Sequence, residues 1–301
     1  MGKTEVVTGH IVVTGCAGFI GSHVTAELLR RGHAVRVIDN FSTGSRENLV
    51  AVGGEVELIE GDIRSYERTH AAMEGVDCVI HLAARDAGTQ RVVMASSSSV
   101  YGRAQELPKT EGLVPQPISP YGVSKLAAEQ YCMGLNAVYG IEVAALRYFN
   151  VFGPRQDPNS QYSGVIPRFL TQALDGAPLV VFGDGKQSRD FTYVDNVVAA
   201  TLSASERRLD GPLICNVGCG TSHTVLGLAE AVGRVAERAV QIEYVPARPG
   251  DVLHSFADIT VAREALGYEP TVGLEEGLER TLDWMLAERR AGSSAAWSEK
   301  R

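Results

Sequence analysis

Apolar residues in this chain fall into short, near-continuous runs separated by stretches of helical spacing. His10–Thr14 is such a run; it enters a glycine-rich turn, apolar positions then recur at helical spacing from Ser22 to Gly32, and a second run, Val35–Ile38, follows. The pattern is β-α-β. Runs at Val56–Ile59, Cys78–Leu82 and Val92–Ala95 read as further buried strands, with a helical stretch over Tyr66–Met73 between the first two. Strands that are apolar on both sides predict a parallel, doubly wound α/β sheet covered on both faces. Tyr121–Tyr139 reads as the next helix and Val143–Leu146 as the next strand. After Asn150, proline, glycine and asparagine punctuate the chain and a smaller α/β lobe begins. It has a helix at Pro167–Leu174, a strand at Leu179–Phe182, and helices at Val225–Ala236 and Leu274–Arg289. The expected division is 1–149 and 150–290, with some exchange of strands and helices between the two parts. The tail 291–301 is expected to be disordered.

One interval breaks the pattern. Only six residues separate a strand ending near Ala84 from one starting near Arg91, whereas parallel neighbours need a crossover of about a dozen or more, usually a helix. Ala84–Gly88 reads as the last turn of a helix with its glycine stop, joined directly to the preceding strand. We therefore expect a main-chain break or a strained link between about Ala83 and Arg91. Either the molecule lacks the segment or residues have been omitted between 84 and 91.

Composition adds limits. With 301 residues, 45% of them hydrophobic, the chain can bury a core. A net charge of −8 without a Lys/Arg cluster argues against nucleic acid as a partner. No segment reaches the ~20 apolar residues of a membrane span, and the N-terminus has no signal-peptide core, so a soluble, cytoplasmic protein is expected. Cys16, Cys78, Cys132, Cys215 and Cys219 are scattered and read as reduced thiols; Cys215 and Cys219 have no second pair to complete a zinc site, so no metal is expected.

Five features carry chemistry. In Thr14–Gly21 the glycines Gly15, Gly18 and Gly21 stand between a strand and a helix. There they permit a tight turn, close approach of a pyrophosphate to backbone, and close helix–strand packing. Asp39 ends the second strand, where a carboxylate can accept from both adenosine ribose hydroxyls and would repel a 2′-phosphate, so NAD is favoured over NADP; a plain turn at Asp39-Asn40 is the alternative. Asp62-Ile63, after another strand, is placed to meet adenine or to cap a loop. Ser96–Ser99 follows a buried strand, which puts hydroxyls at the carboxyl edge of the sheet where ligands bind, unless it is merely a serine-rich linker. Tyr121 and Lys125 share one helix face at i and i+4. The spacing is common by chance, but after a nucleotide fingerprint it suggests a phenol held partly as phenolate by an ammonium. No Gly-x-Ser-x-Gly elbow supports a serine hydrolase.

Taken in order, these motifs resemble the extended short-chain dehydrogenase/reductase family, and within it the nucleotide-sugar 4-epimerases of the UDP-glucose 4-epimerase type. The likeness runs from about Ile11 to Leu286. It rests on Thr14–Gly21, Asp39–Gly44, Asp62-Ile63, His81–Ala84, Ala95–Gly102, Tyr121–Lys125, Arg147–Asn150, Gly185–Asp195 and Arg248–Asp251. The resemblance implies a Rossmann-type NAD domain with a UDP-sugar lobe. It implies Ser97, Tyr121 and Lys125 as catalytic residues, and Gly15, Gly18, Phe19, Ile20, Gly21, Asp39, Asn40, Thr43, Gly44, Asp62, Ile63, Leu82, Ala83, Ala84, Tyr121, Lys125 and Tyr148 around the cofactor. Ser97, Ser98, Asn150, Val165, Phe182, Arg189, Arg248, Asp251 and Ser255 would meet the substrate.

The family's dehydratases and decarboxylases need acids just after the hydroxyl residue, where this chain has Ser98 and Ser99. That leaves oxidation at C4 followed by reduction. The UDP-glucuronate 4-epimerases carry an arginine where this chain has Asp157, which disfavours an acidic sugar. Small Ser255 leaves room for an N-acetyl group, so UDP-GlcNAc/GalNAc fit as well as UDP-Glc/Gal. In this reading Tyr121, its pKa lowered by Lys125 and the nicotinamide cation, takes the O4 proton; the 4-keto sugar then turns over and is reduced on its other face. Relatives of this type form homodimers partly through the crossover helix that is missing here. The competing readings are a UDP-glucuronate 4-epimerase, another nucleotide-sugar oxidoreductase such as a reductase, and a catalytically inactive nucleotide-binding homologue.

Overall fold

The computed structural model describes residues 9–81, 90–158, 164–247 and 252–292. The break or strained link expected between Ala83 and Arg91 lies outside these, as do Leu82, Ala83, Ala84, Arg248, Asp251 and nearly all of the tail.

The first half builds the sheet. Strands β1 (His10–Thr14), β2 (Ala34–Asp39), β3 (Glu57–Glu60), β4 (Cys78–His81), β5 (Arg91–Ser97) and β6 (Glu142–Tyr148) alternate with helices α1 (Phe19–Arg30), α2 (Arg46–Val50), α3 (Tyr66–Met73) and α4 (Pro120–Tyr139). β7 (Val151–Phe152), α5 (Val165–Asp175), β8 (Leu179–Phe182), β9 (Ser188–Arg189), β10 (Thr192–Tyr193) and α6 (Val194–Glu206) follow. The chain then forms β11 (Leu213–Val217), β12 (His223–Thr224), α7 (Val225–Val235), β13 (Ile242–Val245), β14 (His254–Ser255), α8 (Thr260–Leu266) and α9 (Leu274–Arg290).

Seven strands form one parallel sheet in the order β11-β6-β5-β4-β1-β2-β3. The strand order reverses between β1 and β4, and in such sheets ligands bind at the carboxyl ends of the strands beside that switch point. Val12, Val13, Ile80 and Val93 are essentially inaccessible to solvent, as strands covered on both faces require. Each such side chain contributes roughly 1.5–3 kcal/mol by burial.

β11 and α6 come from beyond Asn150 yet belong to this first layer: β11 pairs with β6 from Leu213 against Ala144 to Val217 against Tyr148. α6 is tied to α1 where Arg31 donates to both oxygens of Glu206. The second lobe gathers α5, α7 and α9 with three small sheets, β8 with β13, β9 between β12 and β14, and β7 with β10. A single hydrophobic cluster runs from Val13 through Phe149 and Phe169 to Leu278, so the lobe shares the sheet's core.

β4 and β5 are adjacent and in register, Cys78 beside Arg91 and His81 beside Met94. The chain between them is only residues 82–90.

Candidate active site

A cleft of about 1130 Å³ lies between the carboxyl edge of the sheet and the second lobe, reaching from Gly15 to Arg189 and Ser255. At one end β1 runs into the glycine turn. Gly15 takes φ +71°, which a residue with a side chain adopts only under strain. No side chain caps α1 at Gly18, so the positive end of the helix faces the cleft bare, as an anion site requires. α1 starts at Phe19, earlier than the apolar spacing indicates, because the turn itself supplies its first residues.

Asp39 ends β2, buried, with one carboxylate oxygen accepting from Ala17 N–H at 2.8 Å and the other from Phe41 N–H at 2.8 Å. It therefore braces the glycine turn, and its two oxygens keep further lone pairs beyond these bonds. Gly44 lies against the same turn, its α-hydrogen side facing the Ala17 carbonyl, while Asn40 and Thr43 are exposed beside it. Asp62 accepts from the Arg64 guanidinium and backbone and from Asn40 at 3.3 Å, which holds its carboxyl well below the usual carboxylate range. Ile63 packs on the Val12–Ile38 cluster. Tyr148 lines the cleft, but its hydroxyl pairs with Thr201 of α6 at 2.8 Å.

The catalytic candidates meet in the middle. Ser119 caps α4 by accepting from Gly122 N–H at 3.1 Å, with Pro120 in the first turn. Gly122 lets the helix pass the serine loop, since a methyl group there would lie 2.8 Å from the Ser99 carbonyl oxygen. The Tyr121 phenol and the Ser97 side chain line the same stretch of the cleft, and the serine favours the ionised phenol. Ser97 Oγ accepts from Ser99 N–H at 3.2 Å and from Ser99 Oγ at 3.0 Å. Lys125 Nζ stands 5.8 Å from the centre of the Tyr121 ring and donates to the Ala95 carbonyl at 3.0 Å. Desolvation pushes the phenol up and the Lys125 ammonium down from their ordinary values, and Ser97 pulls the phenol back.

Toward the second lobe the cleft is lined by Ser98, Asn150, Val165, Phe182, Arg189 and Ser255. Asn150 donates to the Asp190 carbonyl at 2.9 Å. Arg189 donates to the carbonyls of Ser188 and Leu253. Sequence reasoning missed Lys109, Gln156, Gln172 and Gln187, which also line the cleft. Lys109, Gln156 and Gln172 sit in a loop or on a helix flank with no local motif to mark them, while Gln187 falls within Gly185–Asp195 but was not singled out there.

The site thus defines an α/β protein with a dinucleotide turn at one end of its cleft and a hydroxyl–phenol–ammonium trio at the centre. The model of the NAD dependent epimerase/dehydratase family matches residues 11–88 and 83–218, and the chain belongs to that family. It is 33% identical to the UDP-glucose 4-epimerase of Mycolicibacterium smegmatis, over 91% of this chain and 97% of that protein. The solved structure of a UDP-N-acetylglucosamine 4-epimerase from Methanobrevibacter ruminantium, with UDP-N-acetylmuramic acid bound, superposes with a TM-score of 0.87 at 35% identity. That match covers 93% of this chain and 99% of the other. The UDP-glucose 4-epimerase of Thermotoga maritima with UDP-glucose gives a TM-score of 0.86 at 34% identity, with the same coverage.

The alignment with the M. smegmatis protein spans 306 positions but draws on 91% of 301 residues, about 274, so about 30 positions of that relative face gaps in this chain. The family model meets the chain in two pieces that overlap at residues 83–88, on the link between β4 and β5.

Proposed function

We propose that the protein interconverts the C4 configuration of a UDP-hexose, UDP-Glc/UDP-Gal or their N-acetyl counterparts, using NAD through a 4-keto sugar. The observation that carries this reading is the meeting of Ser97, Tyr121 and Lys125, the ammonium one helical turn below the phenol, in the middle of a cleft that runs from the glycine turn to Arg189.

The residues present fit NAD: the bare N-terminus of α1 for pyrophosphate, and Asp39 for the ribose. NAD held there would supply the hydride acceptor for the sugar C4 and the donor that restores it. Tyr121 takes the O4 proton on its phenol oxygen and gives it back, and Ser97 donates to O4 as charge builds there. A cation beside the phenol lowers its pKa, and Lys125 and a bound nicotinamide would together offset the desolvation that raises it. Arg189 and Asn150 hold the diphosphate in the second lobe, residues 150–290. Asp157, the residue after the cleft-lining Gln156, is an acid where an acidic sugar would need a cation, which disfavours a uronate. Ser98 and Ser99 supply no acid for elimination.

The partner is a UDP-sugar, and the protein acts in the cytoplasm as a homodimer. Support for the dimer comes from α4. Its charged residues, Lys125 and Glu129, turn inward, and its solvent face carries Val123, Ala127, Tyr131, Gly134 and Val138, all exposed.

The test is incubation of the purified protein with UDP-galactose and UDP-GalNAc. The expected result is the C4 epimer with no net reduced nicotinamide. Stoichiometric consumption of NADH would identify a reductase, and binding without conversion an inactive homologue. Tyr121→Phe should lower turnover at least about 1,000-fold while leaving bound NAD unchanged, because the phenol is the only proton acceptor assigned to O4; a variant with wild-type turnover removes Tyr121 from the mechanism.

A further inference from the structure

Tyr121, Lys125 and Glu129 stand at successive i, i+4 steps on α4 and face the sheet together. Glu129 is fully buried. Its carboxylate receives a two-pronged contact from Arg147 of β6, Nε to Oε1 at 2.9 Å and Nη2 to Oε2 at 2.8 Å, and a short bond from Ser96 Oγ. Arg147 is 2% exposed. Its third contact is Nη1 to the Tyr101 hydroxyl oxygen at 3.0 Å, with the guanidinium 4.9 Å from the centre of that ring. The Tyr101 hydroxyl in turn donates to Asn216 Oδ1 at 2.6 Å.

One ion pair therefore grips the serine loop on both flanks, at Ser96 and at Tyr101, and its acidic member belongs to the helix that carries the phenol. Replacing a buried ion pair by apolar groups is often neutral for stability, so net stabilisation does not account for it; its fork geometry fixes position.

We propose that Glu129 and Arg147 are positioning residues for the epimerisation, setting the distance between α4 and the serine loop and so the contact of Tyr121 with Ser97. This deepens, and rests on, the functional reading above. Loosening the pair moves the phenol, together with Lys125 of the same helix, away from Ser97. The loss of that contact makes the phenol harder to ionise. Among the described residues, His81 at the end of β4 faces Lys125, its ring kept neutral by burial and by the Lys125 charge, and Glu129 of α4 is paired with Arg147.

The test uses the full chain carrying NAD, as Glu129→Gln and as the double variant Glu129→Leu/Arg147→Met, which removes both charges together. Folding is checked by circular dichroism and thermal melting. With UDP-galactose, kcat is expected to fall about 100-fold, the order of loss that a displacement of about 1 Å produces, with KM and NAD content unchanged. The low-pH limb of the rate profile should move up by about one unit.

Phenolate absorbance, with Tyr121→Phe subtracted, gives a second reading that needs no substrate, and the same upward shift is expected there. If the wild-type protein converts no UDP-hexose, the functional reading fails, while the phenol titration still decides the placement. A folded double variant with wild-type kcat, or with an unshifted phenol titration, overturns the proposal. So does unfolding of both variants, which would make the pair a structural necessity alone.

Discussion

Gly21 sits in the first turn of α1, and a methyl group there would lie 2.1 Å from the Gly15 carbonyl oxygen and 2.8 Å from the Cys16 α-carbon. Both obstacles are backbone, so nothing flexible can yield. Gly21→Ala should push the helix off the glycine turn, costing about 1–3 kcal/mol by overpacking. It should also lower NAD retention, because the bare helix end and the turn would no longer share one geometry. Equilibrium unfolding and the NAD content of the purified variant check this, and wild-type values in both would show that the turn does not depend on close packing. Residues of this kind are legible in sequence because the constraint is local. Gly15 and Gly21 are six residues apart, Tyr121 and Lys125 four. Glu129 gave no such signal: its meaning depends on Arg147, eighteen residues away on another element, and on Ser96 further still.

At the scale of elements, α4 was legible from spacing, and its serine cap and first-turn proline fixed where it starts. β11 and α6 were not. β11 is interrupted by buried Asn216, which bonds Tyr101, Lys109 and Asp258, so its apolar run is broken by a polar residue whose partners are tertiary. α6 is buried at Val194, Asn196, Val197, Val198, Ala200, Thr201 and Leu202, which leaves only the narrow stripe of Asp195, Ala199, Ser203 and Glu206 to mark a helical period. The outward face of α4 yields the prediction proper to this scale. Val138, 72% exposed, lies in a stripe without charge, and such a face buried between two copies would not tolerate a carboxylate. Val138→Glu should convert a dimer into a monomer by light scattering without changing the melting profile of the subunit. A wild-type protein that already runs as a monomer would dispose of the dimer.

For the whole molecule, acid stability depends on buried groups in both parts of the core. His23 is enclosed near Arg155, its Nε2 3.0 Å from the Pro154 carbonyl oxygen. Burial, then the Arg155 charge, push it down to about 4. A histidine with a depressed folded pKa contributes stability that is complete above its ordinary value of about 6.5 and is lost as pH falls through about 4, about 3 kcal/mol in all. Asp190 works the other way. It accepts N–H bonds from Cys219, Gly220 and Ala257, yet burial pushes it up to about 6. Its contribution is therefore complete below the ordinary carboxylate range and is lost as pH rises through about 6, again about 3 kcal/mol. The two oppose each other between pH 7 and pH 4, so the comparison must be of variants. His23→Gln, whose amide still reaches the Pro154 carbonyl, should shrink the loss of unfolding free energy between pH 7 and pH 4 by about 3 kcal/mol relative to wild type. Asp190→Asn should enlarge that loss by a similar amount. Urea unfolding at the two pH values measures both differences, and a His23→Gln protein with the wild-type pH dependence would mean that the imidazole is not held neutral by its surroundings.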